Sequence, residues 1–189
     1  VNFEVREGEA VELRGRNGAG KTTLIRELLG SQGAASDGMP ASSVPILYSG
    51  ELTLTPQVRV GIYEQEIDEK YLSDTLEAAI EKLYLGRNVS ISDTKIRQLC
   101  ADYLFTDADR TTPLSRLSGG QKARFQLISM LANNPQLLIL DEPTNHLDLP
   151  SIEELETALQ KYSGALIYVS HDNYFRQKIG GHVVQIGAE

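Results

Sequence analysis

The sequence predicts an α/β fold built around a largely parallel sheet, on the basis of three features. Strand-like runs alternate along the chain with segments in which apolar residues recur every three or four positions. Residues 137–140 and 165–170 are almost continuously apolar, which is typical of parallel strands covered on both faces. A glycine-rich turn from Gly15 to Gly20 joins a strand-like run to a helical one.

The same periodicities place the individual elements along the chain. Strands are predicted at residues 1–5, 10–14, 51–54, 59–63, 137–140 and 165–170, with an edge strand at 182–186. Helices are predicted at residues 22–29, 72–85, 93–104, 119–132, 150–162 and 172–179. Residues 31–45, rich in Ser, Ala and Gly, are predicted to form a long loop. The helices within residues 73–113 are expected to form a subdomain inserted into a core of residues 1–72 and 114–189, so that residues 1–189 make one domain.

Composition narrows the classes of protein that are possible. The net charge of −8 argues against a broad basic face for nucleic acid, although it leaves room for a small local patch. Cys100 is the only cysteine, so no internal disulfide can form, which suits a reducing, cytoplasmic location. No apolar run approaches the roughly 20 residues needed to cross a bilayer, so we expect no membrane insertion. The chain begins without Met, and we expect it to be a fragment of a longer protein.

The segment from Gly15 to Thr22 matches the phosphate-loop pattern G-x-x-x-x-G-K-[ST] in full. Polyphosphate has to approach the backbone closely, and glycine permits this because it has no Cβ and tolerates positive φ. Backbone N–H groups at a helix start form an anion site, and Lys21 supplies a cation for the β- and γ-phosphates. Thr22 is placed to coordinate Mg²⁺. The predicted nucleotide-binding residues of this loop are Gly15, Asn17, Gly18, Ala19, Gly20, Lys21, Thr22 and Thr23. A chance glycine-rich turn is disfavoured by the complete match between a strand and a helix.

Two carboxylates, Asp141 and Glu142, follow the apolar run at residues 137–140. Ligands of α/β sheets bind at the carboxyl ends of strands, so both acids are expected near the phosphate loop. Asp141 would hold Mg²⁺ through a water molecule, and Glu142 would polarise the attacking water as a general base. Acids commonly end strands as solvated turn residues, so the catalytic interpretation depends on the phosphate loop.

Residues 117–121, with the sequence Leu-Ser-Gly-Gly-Gln, are the most discriminating segment. Ser118 is a good N-cap, and the following glycines leave backbone N–H groups accessible. A Ser-capped helix is common, but this one lies upstream of an apolar run that ends in Asp-Glu-Pro. The segment resembles the signature of ATP-binding cassette (ABC) proteins, which hydrolyse ATP with Mg²⁺. The resemblance implies that the signature residues, Ser118, Gly119, Gly120 and Gln121, contact the γ-phosphate held by a second cassette packed head to tail.

The resemblance covers residues 1–186, with every motif in family order. It implies a P-loop NTPase core of the ABC type, with a largely parallel central sheet, an antiparallel β edge and an inserted helical subdomain. Gln65 looks like the loop glutamine that contacts Mg²⁺ and the water, which makes Thr22, Gln65 and Asp141 the implied metal site. His171 looks like the switch histidine that bonds the γ-phosphate and steadies Glu142, so these two are the implied catalytic pair. Without the resemblance, Gln65 would be interpreted as a solvated side chain after a strand, and His171 as a structural or a solvated one.

The resemblance also implies what the whole protein does. Residues 141–148, Asp-Glu-Pro-Thr-Asn-His-Leu-Asp, are similar to the soluble ABC-F branch, and so are residues 170–175, in which Asn173 replaces the usual Arg. That branch joins two cassettes in one chain and acts on the ribosome, so the implied partners are a second cassette and the ribosome or its RNA. The alternative is the ATPase subunit of a membrane transporter. A non-catalytic nucleotide switch is disfavoured by the intact Lys21, Glu142 and His171.

One family element has no counterpart. The family stacks adenine on an aromatic residue well upstream of the phosphate-loop lysine. Phe3 lies only eighteen residues before Lys21 and alternates like a core position. We therefore expect the stacking residue to lie before Val1.

Overall fold

The computed structural model describes residues 2–30, 58–63, 66–145 and 147–187. In this part of the chain there are five strands: β1 (Ala10–Arg14), β2 (Val60–Tyr63), β3 (Leu137–Asp141), β4 (Ala165–Val169) and β5 (His182–Gln185). The α-helices are α1 (Lys21–Gly30), α2 (Glu69–Leu72), α3 (Leu76–Gly86), α4 (Asp93–Asp102), α5 (Asp107–Arg110), α6 (Gly119–Leu131), α7 (Leu149–Lys161) and α8 (Asn173–Ile179). A 3₁₀ turn spans Leu114–Arg116.

The five strands form one sheet in the order β2–β3–β4–β1–β5, and every pairing is parallel. The α/β fold with a parallel sheet is therefore confirmed. The predicted strand at residues 1–5 is wrong for residues 2–5, which join no ladder. Their alternation has a different cause, because Phe3 and Val5 pack partly buried against the core while Asn2 and Glu4 are exposed.

The antiparallel edge is not found among the residues that the structure describes. The only antiparallel pairing there is an isolated bridge between Thr75 and Pro113. The strand predicted at residues 51–54 and the loop predicted at residues 31–45 lie outside the described ranges.

Strands β3 and β4 each have side chains in two apolar cores, one on either face of the sheet. Leu137 and Ile139 of β3 pack with α1 and β1 on one face of the sheet. Leu138 and Leu140 point to the opposite face, where α6, α7 and α8 pack. Burial on both faces explains why the sequence of β3 is apolar throughout rather than alternating.

A third apolar cluster joins the helices of residues 76–117 to α6. Its members are Leu76, Ala79, Ile80, Ile96, Cys100, Phe105, Leu114, Leu117, Phe125 and Ile128, all buried. Phe125 and Ile128 belong to α6, which also packs on the sheet. Helix α6 therefore connects the helical segment to the sheet through packed side chains.

Two predicted helices differ from the observed ones for local reasons. The helix predicted at residues 72–85 begins later, as α3 at Leu76, because the Thr75 hydroxyl accepts a hydrogen bond from the Ala78 N–H and caps the helix there; Leu72 is the last residue of α2. The helix predicted to end at residue 104 ends at Asp102, and Leu104 has a φ of 57°, which right-handed helices do not contain. Across the described residues, no helix combines the length and apolar character needed to cross a bilayer.

Candidate active site

The carboxyl ends of three neighbouring strands, β3, β4 and β1, lie at one cleft of about 340 Å³. The phosphate loop (residues 15–22) follows β1, the acidic pair follows β3, and His171 follows β4. The residues that line the cleft are Asn17, Gly18, Gly20, Lys21, Thr22, Thr23, Asp141, Glu142, Val169 and His171. The structure therefore brings together the two motifs that the sequence places at strand ends, and it adds Val169, which no sequence signal identified.

The phosphate loop needs its glycines for two different reasons. Gly18 and Gly20 have φ values of 82° and 94°, which residues with a Cβ rarely adopt. Gly15 has ordinary φ, but a Cβ there would lie 2.4 Å from the carbonyl oxygen of Ile186, just after β5. The start of the loop is thus held directly against the backbone of the edge strand. Ala19 turns away from the cleft and packs partly buried against the first core.

Lys21 is buried, with 8% of its surface exposed, at the first position of α1. Its Nζ donates to the carbonyl oxygens of Gly15 at 2.8 Å and Arg16 at 3.1 Å. These bonds hold the ammonium group inside the curve of the loop, where the positive end of the α1 dipole adds to its charge. Such a centre attracts phosphate oxygens.

Thr22 and Asp141 are in direct contact, since the Thr22 Oγ1 donates to the Asp141 Oδ2 at 2.8 Å. A hydroxyl and a carboxylate are the oxygen ligands that Mg²⁺ prefers, and Mg²⁺ bound with nucleotide takes most of its remaining ligands from phosphate and water. In the described ranges no group of three His, Cys, Asp or Glu side chains could hold a metal alone. The donor set therefore fits Mg²⁺ that arrives with a polyphosphate. Gln65, the third predicted ligand, lies outside the described residues.

Glu142 and His171 contact each other twice across the ends of β3 and β4. The Glu142 Oε2 accepts a hydrogen bond from the His171 backbone N–H at 3.0 Å, and the Oε1 lies 3.2 Å from the His171 Nε2. The Glu142 side chain is 17% exposed and the His171 side chain 63% exposed, so the imidazole lies on the open side of the carboxylate. Glu142 also has a φ of 50°, a left-handed backbone that costs a non-glycine residue about 1–2 kcal/mol. Its N–H donates to the Val169 carbonyl at 2.9 Å, which helps to hold this conformation.

The signature residues lie outside this cleft, at the start of α6. Ser118 caps the helix, and its side chain and that of Gln121 form a reciprocal capping box. A Cβ at Gly120 would lie 3.2 Å from the Ser151 Oγ and 3.6 Å from the Asp148 Oδ2, so this glycine is packed against the start of α7. A Cβ at Gly119 would meet no atom within 4 Å.

A second groove connects the signature to the segment after β3. Gly119 and Lys122 line one side of it, and Asn145 and Leu147 line another. The signature and the acidic motif therefore share the carboxyl edge of the sheet, although they do not line the same cleft. His146, which the sequence placed in an interface segment, lies outside the described residues.

The site and the fold agree with comparisons to known proteins. The profile of the ABC transporter family matches residues 1–145. The chain is 36% identical over 94% of its length to the ribosome protection protein VmlR of Bacillus subtilis (strain 168), and 34% identical over 98% of its length to ABC transporter F family member 2 of Arabidopsis thaliana. It spans only 29% and 25% of those relatives.

Solved structures show the same fold at lower identity. A dimeric post-hydrolysis ATP-binding cassette bound to ADP and Pi matches with a TM-score of 0.66 and 21% identity, over 98% of this chain and 84% of that one. A putative metal-chelate type ABC transporter matches with a TM-score of 0.73 and 20% identity, over 98% of this chain and 71% of that one.

The cleft with its phosphate loop and acid pair, together with the signature helix beside the second groove, defines an ATP-binding cassette. This chain belongs to the ABC transporter family, as an ATPase cassette whose curated relatives include members of the ABC-F group.

Proposed function

We propose that this cassette binds Mg²⁺-ATP on residues 15–23 and hydrolyses it in a site completed by a second cassette, within a cytoplasmic ABC-F protein that acts on the ribosome. The observation that carries the proposal is the double contact between Glu142 and His171 at the mouth of the phosphate-loop cleft. Residues 1–189 act as one nucleotide-binding domain, in which the helices of residues 73–113 form a subdomain that packs against the signature helix α6.

Each residue of the cleft has a role that follows from its placement. Lys21 and the backbone N–H groups of the loop bind the β- and γ-phosphates. Thr22 and Asp141 would hold Mg²⁺, which would neutralise charge on the phosphate oxygens. Gln65 would be the third metal ligand by the family resemblance alone, since it lies outside the described residues. Catalysis of phosphoryl transfer is mostly positioning and electrostatics, so the fixed geometry of the cleft is the main contribution of the protein.

Glu142 is the general base of the proposed reaction. Its Oε2 accepts a hydrogen bond from the His171 N–H, its Oε1 lies 3.2 Å from the His171 Nε2, and the residue lines the phosphate-loop cleft. It accepts a proton from the attacking water, and His171 keeps the carboxylate oriented and contacts the γ-phosphate. The signature residues of the second cassette, corresponding to Ser118–Gln121 here, cover the γ-phosphate from the other side.

Two substitutions test the assignment. Glu142→Gln should lower kcat by about 10²–10⁴-fold while ATP still binds, because only the proton acceptor is removed. Lys21→Ala should weaken ATP binding by about tenfold to a hundredfold, the effect of losing one charge-assisted hydrogen bond. Glu153→Gln, the same chemical change at an exposed position of α7, is the control. Wild-type turnover of Glu142→Gln, or wild-type ATP affinity of Lys21→Ala, would contradict the proposal.

The ribosomal role has a separate test. The relative that is named a ribosome protection protein supports it, at 36% identity. Full-length protein with Glu142→Gln should sediment with ribosomes through a sucrose cushion when ATP is present, and should remain in the supernatant without ATP. Sedimentation with membrane vesicles in place of ribosomes would support the alternative, the ATPase subunit of a membrane transporter.

A further inference from the structure

Two helix caps on separate helices are joined by one hydrogen bond. At the start of α5, the Asp109 Oδ2 accepts from the Thr106 N–H at 2.8 Å and from the Thr106 hydroxyl at 2.7 Å. At the start of α6, the Gln121 Oε1 accepts from the Ser118 N–H at 2.9 Å. The Gln121 Nε2 donates to the Asp109 Oδ1 at 2.7 Å and connects the two caps. One carboxylate oxygen of Asp109 therefore bonds to the cap of its own helix, and the other bonds to Gln121 of the signature helix.

The carboxylate of Asp109 determines which way the Gln121 amide faces. A carboxylate is only an acceptor, so it selects the NH₂ end of the amide and leaves the oxygen end for the Ser118 N–H. A flipped amide would set its NH₂ group against the Ser118 N–H and its oxygen against the carboxylate, and both contacts are repulsive. Without a carboxylate at residue 109, only the Ser118 N–H would select this orientation, and the preference would be weaker.

The amide holds the backbone N–H of Ser118, and the hydroxyl of the same residue belongs to the same cap. The Ser118 Oγ accepts from the Gln121 backbone N–H at 3.2 Å, so this lone pair is already used. A hydroxyl has one O–H donor, and no acceptor for it is found among the described residues. Ser118 is exposed, so the donor is available to an acceptor that approaches the start of α6 from outside.

We propose that Asp109 is a positioning residue for the signature: through Gln121 it holds Ser118 so that the hydroxyl and the adjacent backbone N–H groups face the nucleotide of the second cassette. The inference rests on the proposed function and extends it to a residue of α5. Asp109 touches no nucleotide itself. It acts through the shared hydrogen bond between the two caps.

Hydrogen bonds and one nearby positive charge keep Asp109 ionised, so that it can only accept hydrogen bonds. The pKa of Asp109 is lowered, first by the Thr106 hydroxyl, then by the Thr106 backbone N–H, and further by Gln121 and the positive charge of Arg124 on α6. Asp109 in turn contributes to the raised pKa of the Cys100 thiol on α4, although burial is the main cause; that pKa is about 11, so the thiol is uncharged at neutral pH. Both sides of the hydrogen bond are therefore fixed at neutral pH, with Asp109 ionised and Gln121 uncharged.

The first test compares neighbouring carboxylates in the full-length protein. Asp109→Ala should lower kcat for ATP about tenfold, the effect of roughly one hydrogen bond to a charged group, and leave the Kd for ATP unchanged because the phosphate loop is untouched. Asp107→Ala is the matched control, since it removes the same charge from the same helix at a side chain that is 95% exposed and pairs only with Arg110 among the described residues. Equal effects of the two variants, or no effect of Asp109→Ala, would overturn the inference.

Exchanging donor and acceptor between Gln121 and Asp109 gives a second test, with a readout that a merely structural role would not change. Gln121→Glu keeps a side chain suited to the capping box but sets two carboxylates against each other, so kcat should fall about tenfold. One carboxylate of such a pair has a raised pKa, so this variant should recover as pH falls from about 8 to 6. Adding Asp109→Asn to Gln121→Glu restores a donor opposite an acceptor, so the double variant should have a kcat at least about threefold higher than that of Gln121→Glu alone. Additive losses in the double variant would overturn the inference.

A third measurement is independent of turnover. In the full-length protein, Asp109→Ala should raise the hydrogen-exchange rate of the Ser118 and Gln121 amides about fivefold, an effect typical of losing a helix cap, while Asp107→Ala should not. If Lys21→Ala and Glu142→Gln leave ATP binding and hydrolysis unchanged, the proposed function fails. If those variants act as expected while Asp109→Ala changes neither exchange nor kcat, only the present inference fails.

Discussion

Replacing Gly119 with alanine should separate what the cassette needs for its own fold from what it needs for its partner. A methyl group at Gly119 meets no atom within 4 Å, and the backbone there does not have positive φ. Alanine in place of glycine at a compatible position stabilises a protein by about 0.4–1 kcal/mol, since the unfolded chain loses freedom. For a chain of this size, 1 kcal/mol corresponds to about 2–4 °C in Tm. Gly119→Ala should therefore leave Tm unchanged or raise it by up to about 4 °C.

The same methyl group should be harmful to turnover. Under the proposed arrangement, the open space above Gly119 receives the γ-phosphate of the second cassette, and the added group would displace it from the N–H donors. Losing one donor to a developing phosphate charge lowers rates by about 10²–10³-fold. Gly86→Ala is the matched control, because this glycine at the end of α3 also has open space around its Cβ position and plays no part in the signature.

The assays are thermal unfolding followed by circular dichroism and steady-state ATP turnover of the full-length protein. Gly119→Ala and Gly86→Ala should be equally stable and should differ in kcat. Wild-type turnover of Gly119→Ala would refute the role of the signature at a second nucleotide. A loss of stability above about 1 kcal/mol would show that the glycine serves its own fold instead.

Three further predictions concern the core, the loop and the pH dependence of stability. Leu138→Ala should lower the free energy of unfolding by about 2–5 kcal/mol in urea titrations, because Leu138 is fully buried between the sheet and α6; a loss below about 1 kcal/mol would contradict this packing. Gly15→Ala should weaken ATP binding about tenfold or more in calorimetry, since its Cβ would overlap the Ile186 carbonyl; unchanged affinity would mean that the loop tolerates the shift. Glu156 is buried on α7, its Oε1 has no hydrogen-bond partner among the described residues, and burial raises its pKa. The folded state therefore favours the protonated carboxyl, and the stability that Glu156 contributes is lost as pH rises through its folded pKa. Glu156→Gln should raise the urea midpoint at pH 7 and should reduce the fall of that midpoint between about pH 4 and 7. An unchanged dependence of the midpoint on pH would contradict the assignment.

Most strands of the sheet could be predicted because the burial of a strand leaves a pattern in its own few residues. Strands β3 and β4 are buried on both faces, and a continuous apolar run is the direct consequence of that burial. The alternation at residues 2–5 was misleading, because an extended segment can alternate between core and solvent without pairing to a strand. Pairing depends on a partner that is distant in sequence, and periodicity carries no information about it.

The same distinction holds for the cleft. The phosphate loop and the acid pair could be found because each is a short motif at a strand end, and the parallel sheet brings strand ends together. The left-handed backbone of Glu142 could not be predicted, since it depends on the Val169 carbonyl on the neighbouring strand. Asp109 carries no signal of its own, because an acidic residue at the third position of a short helix is common and its link to Gln121 exists only in three dimensions.

The position of the signature at the start of α6 has a genetic consequence. It shares the carboxyl edge of the sheet with the phosphate loop but lines a different groove, so under the proposed arrangement each cassette contributes to two ATP sites. A loop mutation such as Lys21→Ala and a signature mutation such as Gly119→Ala in one cassette would disable both sites. The same two mutations, divided between the two cassettes, would fall on a single site and leave the other whole. The activity of a double mutant of such a protein should therefore depend on which cassette carries each mutation, and not only on how many mutations are present.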